Sequence, residues 1–357
     1  MSKILFPKTL IIGLGLIGGS FAKSLRHHKI SEKIFAFDLD LESIDLAKND
    51  GVIDGGADNF VMLEENFDLV VIATPLSAYE EIFAEILNHI SPKTIVIDLG
   101  SLKNFINEIL PKNLEKNFIG CHPIAGSEKN GFENSDAELF LGKKFVICPT
   151  AKNDLDAVKK IENLAKQIGC NVESIDAKKH DEIYALVSHL PQFLSFLTKE
   201  FSPKNIKDDF FKTAFRLDDS DPEIWSDIFE LNDENLERFY VEFFDDLEKE
   251  IQMLKATSDV TLSLSKGDSS PCPESPFDKL RVTEEFFEEN FAAIFTRAII
   301  VKTYLNLPQI KTFQNYAGSG FRDFTSIIGV LKYDQEKLTS LIQKNHKKIL
   351  KIFNSLS

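Results

Sequence analysis

The chain has 357 residues, more than one small hydrophobic core organises, so two domains are expected. Its net charge is −15, with 43% hydrophobic and 27% charged residues. This globular composition excludes nucleic acid and anionic lipid as partners of the general field, and leaves an anionic substrate in need of a local positive cluster. No run of 18 or more apolar residues occurs, so no membrane-crossing helix is expected.

In chain order, Thr9–Ile12, Ile34–Phe37, Leu69–Ala73, Thr94–Ile97, Phe118–Cys121 and Phe145–Cys148 have the apolar character of buried strands. Between them, Leu16–His28, Leu41–Asn49, Ser77–His89 and Asp154–Ile168 carry amphipathic helical spacing. The apolar run Leu10–Ile17 is studded with glycine and continues into a polar-faced helix, so it is structure and not a signal peptide. Strands alternating with helices predict an α/β fold, a Rossmann-type doubly wound sheet over residues 1–175. Strand signals fade after about Ile175. Residues 176–357 are expected to form an all-helical domain, with long helices over Asn235–Lys255 and Glu284–Leu305. Within it, 257–283 (Ser265-Lys266-Gly267-Asp268-Ser269-Ser270-Pro271 and onward) has no amphipathic period and is expected to be a disordered insertion. Cys121, Cys148, Cys170 and Cys272 form no CxxC pair, which points to a cytoplasmic protein without a disulfide framework. No ligand spacing for a metal stands out.

Gly13-Leu14-Gly15-Leu16-Ile17-Gly18 is a GxGxxG motif between a strand and a helix. In that context the first glycine permits the tight turn, the second lets backbone approach a pyrophosphate, and the third lets helix and strand pack closely. Asp38 lies 20 residues beyond Gly18, at the end of the second strand. A carboxylate there accepts from ribose hydroxyls and repels a 2′-phosphate, so NAD is the expected cofactor. Thr74 and Pro75 follow the strand Leu69–Ala73, where the ligand crevice of such sheets lies; a plain strand-ending turn explains Pro75 equally well. His122 also sits at a strand's carboxyl end, in a loop constrained by Pro123 and Gly126, which marks it as a candidate acid–base group.

Asp98-Leu99-Gly100-Ser101-Leu102-Lys103, then His122-Pro123-Ile124-Ala125-Gly126-Ser127-Glu128, Ser188-His189-Leu190-Pro191-Gln192 and Ser220-Asp221-Pro222-Glu223-Ile224-Trp225 stand in the order of the prephenate/arogenate dehydrogenase motifs. With the glycine-rich start, the chain resembles that family over roughly residues 8–250. The resemblance implies a homodimer that oxidatively decarboxylates prephenate, or alternatively arogenate, in tyrosine biosynthesis. His122 would be the base for the ring hydroxyl and Ser101 a hydrogen-bond partner of that hydroxyl. Ser127, Glu128, Ser188, His189, Gln192 and Trp225 would line the substrate pocket. Arg216 stands where the family places the arginine that holds a substrate carboxylate.

The chain departs from the family just before Arg216. A Gly-Phe-x-Asp-x-Thr stretch is expected there, but Asp209–Phe215 lacks its glycine and aspartate. Those features reappear in Gly320-Phe321-Arg322-Asp323-Phe324-Thr325, either as a diverged second copy or as part of one site divided between two segments. Arg322 is therefore a second candidate for the carboxylate, and an ordinary helix-connecting turn is the alternative. Two other readings stay open. A hydroxyacid-type or imine-reducing dehydrogenase would rely on a lysine in the helical domain, and the His-Pro-Ile-Ala-Gly loop argues against it. A diverged, inactive NAD-binding homologue would account for the broken stretch.

Overall fold

The structure, a computed structural model, describes residues 4–60, 66–126, 129–204, 206, 209–256, 284–332 and 335–356. Ser127, Glu128 and the 257–283 segment lie outside the described residues. The chain begins with β1 (Phe6–Ile12), α1 (Leu16–His27), β2 (Ser31–Phe37), α2 (Leu41–Asn49), β3 (Gly55–Ala57) and β4 (Leu69–Ile72). Then come α3 (Tyr79–Ile86), β5 (Ile95–Asp98), α4 (Asn104–Ile109), β6 (Phe118–Pro123), β7 (Lys144–Cys148), α5 (Leu155–Gln167), β8 (Asn171–Ser174) and α6 (Ala177–Tyr184). The remainder is helical: α7 (Leu190–Thr198), α8 (Asp209–Ala214), α9 (Pro222–Leu231), α10 (Asp233–Ala256), α11 (Glu284–Leu305), α12 (Ile310–Phe313), α13 (Ser319–Ser326) and α14 (Gln335–Leu356). These elements form two compact units, Met1–Glu182 with Asp221–Asp233, and Ile183–Ser220 with Glu234–Ser357.

The first unit holds an eight-stranded sheet in the order β3-β2-β1-β4-β5-β6-β7-β8. Pairing is parallel from β3 to β6, β7 turns antiparallel to β6, and β8 runs parallel to β7. Alternation along each strand decides which layer a residue joins. Ile11, Val71, Ile97 and Ile119 pack with Phe21, Leu25, Ile44 and Ile161 of α1, α2 and α5. Leu10, Ile12, Val70, Ile72 and Val96 pack with Tyr79, Phe83, Ile106 and Ile228 of α3, α4 and α9. The sheet is thus buried on both faces, as a parallel sheet requires. Its strand order reverses between β1 and β4, and in such sheets the ligand crevice opens at the carboxyl ends there. α9 belongs to this unit, not with the helices that flank it in sequence.

The second unit is built around α11. Phe291, Ile294, Phe295, Ala298, Ile299, Ile300, Val301 and Tyr304 are all buried, and four of them are consecutive. Burial all round marks a central helix and not a surface one. α11 packs on α14 and on the 3-10 turn 327–332, and its Lys302 reaches Glu250 of α10 at 3.0 Å. The apolar stripe of α10, Leu236, Phe239, Phe243 and Leu247, is at most 6% exposed. Among the described residues, these helices therefore bury their apolar stripes within the chain.

Candidate active site

The turn from β1 into α1 is made by glycines for distinct physical reasons. Gly13 has φ +94°, and a Cβ on it would lie 2.6 Å from the carbonyl oxygen of Ala73, just past the adjacent strand β4. A Cβ on Gly18 would stand 1.9 Å from the carbonyl oxygen of Gly13, so only hydrogen lets α1 pack against the turn. Gly15 differs: nothing lies within 4 Å of its Cβ position. Packing does not demand glycine there, and the bare backbone faces open space at the start of a twelve-residue helix. That is the cradle a pyrophosphate fits, with Leu16 and Ile17 opening the helix behind it. Asp38, at the end of β2, accepts from the backbone N–H of Leu14 at 2.5 Å and of Asp40 at 2.8 Å. Its carboxylate is thus fixed beside the glycine turn. Thr74 and Pro75 follow β4 on the neighbouring strand, and the Thr74 methyl is 3.1 Å from the Gly13 Cβ position.

Two strands further along the sheet, Asp98 ends β5 with its side chain fully buried. It accepts from Gly100 N at 2.9 Å, Cys121 N at 3.1 Å and Tyr79 Oη at 3.3 Å, and forms an ion pair with the equally buried Lys103. Burial raises the Asp98 carboxyl above its usual range, against the opposing pull of Lys103 and the hydrogen bonds. The loop between β5 and α4, which carries Ser101, is pinned by this cluster. β6 pairs in register with β5, Val96 with Phe118 and Ile97 with Ile119, which brings His122 to the same edge. His122 lies within β6 and not after it, because Cys121, His122 and Pro123 pair with Ile147, Val146 and Phe145 of β7.

His122 Nδ1 is 2.9 Å from Nε2 of His180, and His180 Nδ1 is 2.7 Å from Oδ1 of Asp181. His180 is fully buried and Asp181 is 3% exposed. Burial, then the charge of Lys103, holds the His180 imidazole well below its usual pKa, so it is neutral at working pH. The Asp181 carboxylate also accepts from the backbone N–H of Lys103 and of Asn104, each at 2.8 Å. The Ser101 loop and the His122 strand are therefore both tied to α6. Nearby Cys121 is buried, and burial pushes the Cys148 thiol up to about 12, which removes both as nucleophiles. Trp225 of α9 packs in the same unit against the Ile228 side of the core and lies 5.7 Å from Phe229, ring to ring.

In the second unit, residues 185–189 form a π-helical turn carrying Ser188 and the buried His189, and α7 follows. Such turns recur at functional sites. Gln192 is fully buried: it donates to Leu217 O at 2.8 Å, and its Oε1 accepts from Ser220 Oγ at 3.2 Å. It therefore holds the 3-10 turn 216–219. Arg216, on that turn, places Nε and one terminal nitrogen 3.0 and 2.6 Å from Oδ2 of Asp323. Asp323 belongs to the Gly320–Thr325 stretch, which lies in α13, so that stretch and Arg216 are in direct contact. Arg322 on the same helix is exposed. A further buried ion pair supports the turn from below: Arg297 of α11 contacts both carboxylate oxygens of Asp218 at 2.9 and 3.1 Å, bonds Ser195 at 3.2 Å, and lies over the Phe215 ring.

Sequence reasoning missed His180, Asp181, Asp218 and Arg297 as parts of these arrangements, while Asp323 was named within the Gly320–Thr325 stretch. The one available signal was the His180-Asp181 pair at a helix start, which looks like ordinary helical surface. The pairing of Asp218 with Arg297, distant in sequence, leaves no local mark.

Comparison with known proteins places the chain beside one family. The family description "Prephenate dehydrogenase, nucleotide-binding domain" matches residues 21–174, and "Prephenate dehydrogenase, dimerization domain" matches 176–262. A prephenate dehydrogenase of Bacillus subtilis is 29% identical over 64% of this chain, which spans 66% of that relative's length. A cyclohexadienyl dehydrogenase of Zymomonas mobilis is 28% identical over 62% of this chain and 80% of its own length. Among solved structures, prephenate dehydrogenase of Aquifex aeolicus in complex with hydroxyphenyl propionate and NAD+ is 33% identical, with a TM-score of 0.64 over 70% of this chain and 91% of that one.

Proposed function

Because the chain belongs to the prephenate dehydrogenase family, we propose that it converts prephenate to 4-hydroxyphenylpyruvate in tyrosine biosynthesis, as an NAD-dependent cytoplasmic oxidoreductase. The observation that carries this reading is a histidine at the carboxyl edge of a nucleotide-binding sheet, His122, in the same unit as a glycine turn open at Gly15. NAD, bound over Gly13–Gly18 with Asp38 at its ribose and Thr74 and Pro75 beside it, supplies the hydride acceptor. His122 takes the proton of the ring hydroxyl, and Ser101 holds that oxygen. Departure of the ring carboxylate as CO2 leaves an aromatic ring, so the protein has only to position the substrate and provide one base. Arg216 holds a substrate carboxylate in this reading, since a guanidinium fork matches it in two places. Ser188, His189 and Gln192 shape the pocket around that end. Assembly is as a homodimer, supported by the family's dimerisation domain over 176–262.

Formation of NADH from prephenate, measured beside arogenate under the same conditions, tests the reading. The Zymomonas relative's name leaves both cyclohexadienols as candidates. His122→Asn is expected to lower kcat by at least about 10²-fold with NAD affinity retained. No turnover of either substrate by the wild type overturns the proposed activity; near-normal turnover by the variant overturns the role of His122.

A further inference from the structure

Resting on that reading of His122, we propose that His180 and Asp181 are positioning residues that fix the tautomer of the base. The chain of contacts runs Asp181 Oδ1, His180 Nδ1, His180 Nε2, His122 Nδ1, with separations of 2.7 Å and 2.9 Å at the two bonds. A carboxylate only accepts, so the hydrogen of the neutral His180 ring is on Nδ1. Its Nε2 then carries a lone pair and accepts. The hydrogen between the two rings therefore belongs to Nδ1 of His122, and Nε2 of His122 carries the lone pair that takes a proton. A histidine side chain free in water favours the opposite tautomer, with the hydrogen on Nε2, which cannot act as a base at that atom. The protein reverses this preference from two residues away.

The pair is built to hold that arrangement. His180 is completely buried and Asp181 nearly so, which leaves water no access to compete for these bonds. Asp181 is itself clamped by two backbone N–H groups at the start of α4. The charged groups packed around the rings, among the described residues, are Asp181 on α6, Lys103 before α4 and Asp98 at the end of β5, the last two paired with each other. When His122 accepts the hydroxyl proton at Nε2, the new imidazolium donates from Nδ1 to His180, with the Asp181 carboxylate one bond beyond. As CO2 leaves and the ring becomes aromatic, His122 returns the proton to the ring oxygen, which gives the phenol of the product and restores the neutral base. This is the orienting logic of a carboxylate–histidine pair, extended by one ring. For packing alone, an apolar side chain would serve without the cost of burying two polar groups.

The test has two arms. Nitrogen-15 NMR of the histidine-labelled full chain, with His122 assigned by its loss in His122→Asn, reports the tautomer directly; the Nδ1–H form is expected in the wild type. In steady state, His180→Phe and Asp181→Asn are expected to lower kcat roughly 10- to 100-fold with little change in KM, less than loss of the base itself. The acid limb of their pH–rate profiles moves to lower pH, because the imidazolium loses its acceptor. Unchanged NAD affinity reports an intact fold, and if neither variant folds, the wild-type tautomer decides. A neutral His122 found as Nε2–H, or kcat and acid limb unmoved in both variants, overturns the proposal. If His122→Asn stays active, it is the assignment of the base that fails.

Discussion

Asp38 and Arg216 each hold a backbone or side-chain partner while standing where a ligand group is expected. Asp38→Ser removes a negative charge from the ribose end and also frees Leu14 N, so NAD binding is expected to weaken while NADP gains relative to it. Comparison of kcat/KM for the two cofactors checks this; a wild type that already accepts both equally overturns the reading of Asp38. For the carboxylate, the ion pair with Asp323 fixes the Arg216 guanidinium in place, whereas Arg322 is exposed. Arg216→Ala is expected to raise KM for prephenate by an amount equivalent to roughly 2–5 kcal/mol, and Arg322→Ala far less. Equal small effects from both would remove the assignment. Gly13, Gly15, Gly18, Asp38 and His122 could be named as candidates from sequence because each sits in a local pattern. His180 and Asp181 could not, since what sets them apart is burial and the presence of a second histidine 58 residues away.

At the scale of elements, most boundaries were legible from alternation and helical spacing: α2 and α11 fall on the expected residues, and β5 and β6 shift by one or two. The elements that were missed lack those signals. β3 is Gly-Gly-Ala, whose small residues have little strand propensity. β8 is an edge strand of four residues with no buried side chain, and α4 is six residues long. Arg297 was hidden differently, as the one charge within the mainly apolar stretch 291–301 of α11. It anchors the 216–219 turn, because Asp218 and Arg297 neutralise each other away from water. Asp218→Ala leaves the guanidinium uncompensated and is expected to lower the unfolding free energy by about 3–5 kcal/mol, read from urea denaturation. A loss below about 1 kcal/mol, the scale of an exposed pair, would show that the pair carries little. Substrate KM should rise with it if the turn presents Arg216.

For the whole molecule, the amount of apolar surface in the helical half was legible, but not where it goes. α11 and α14 bury it in the same chain, and of the second unit's described large apolar side chains only Val241 and Met253 are exposed. The case for a homodimer therefore rests on the family's dimerisation domain and not on a surplus of greasy surface. Sedimentation at assay concentration is expected to give twice the 40.4 kDa chain mass. A fully active 40.4 kDa species would overturn that assembly.

The burial of α11 and the bond from Arg216 to Asp323 also bear on where this protein can be cut. The family match stops at residue 262, yet the helix at the centre of the second unit and the acid that steadies Arg216 both lie beyond it. Anyone trimming the chain to its recognisable portion would remove the keystone and leave the arch. Such a shortened protein is expected to keep a folded nucleotide half that still takes up NAD, while its helical half loses cooperative melting and, with it, turnover.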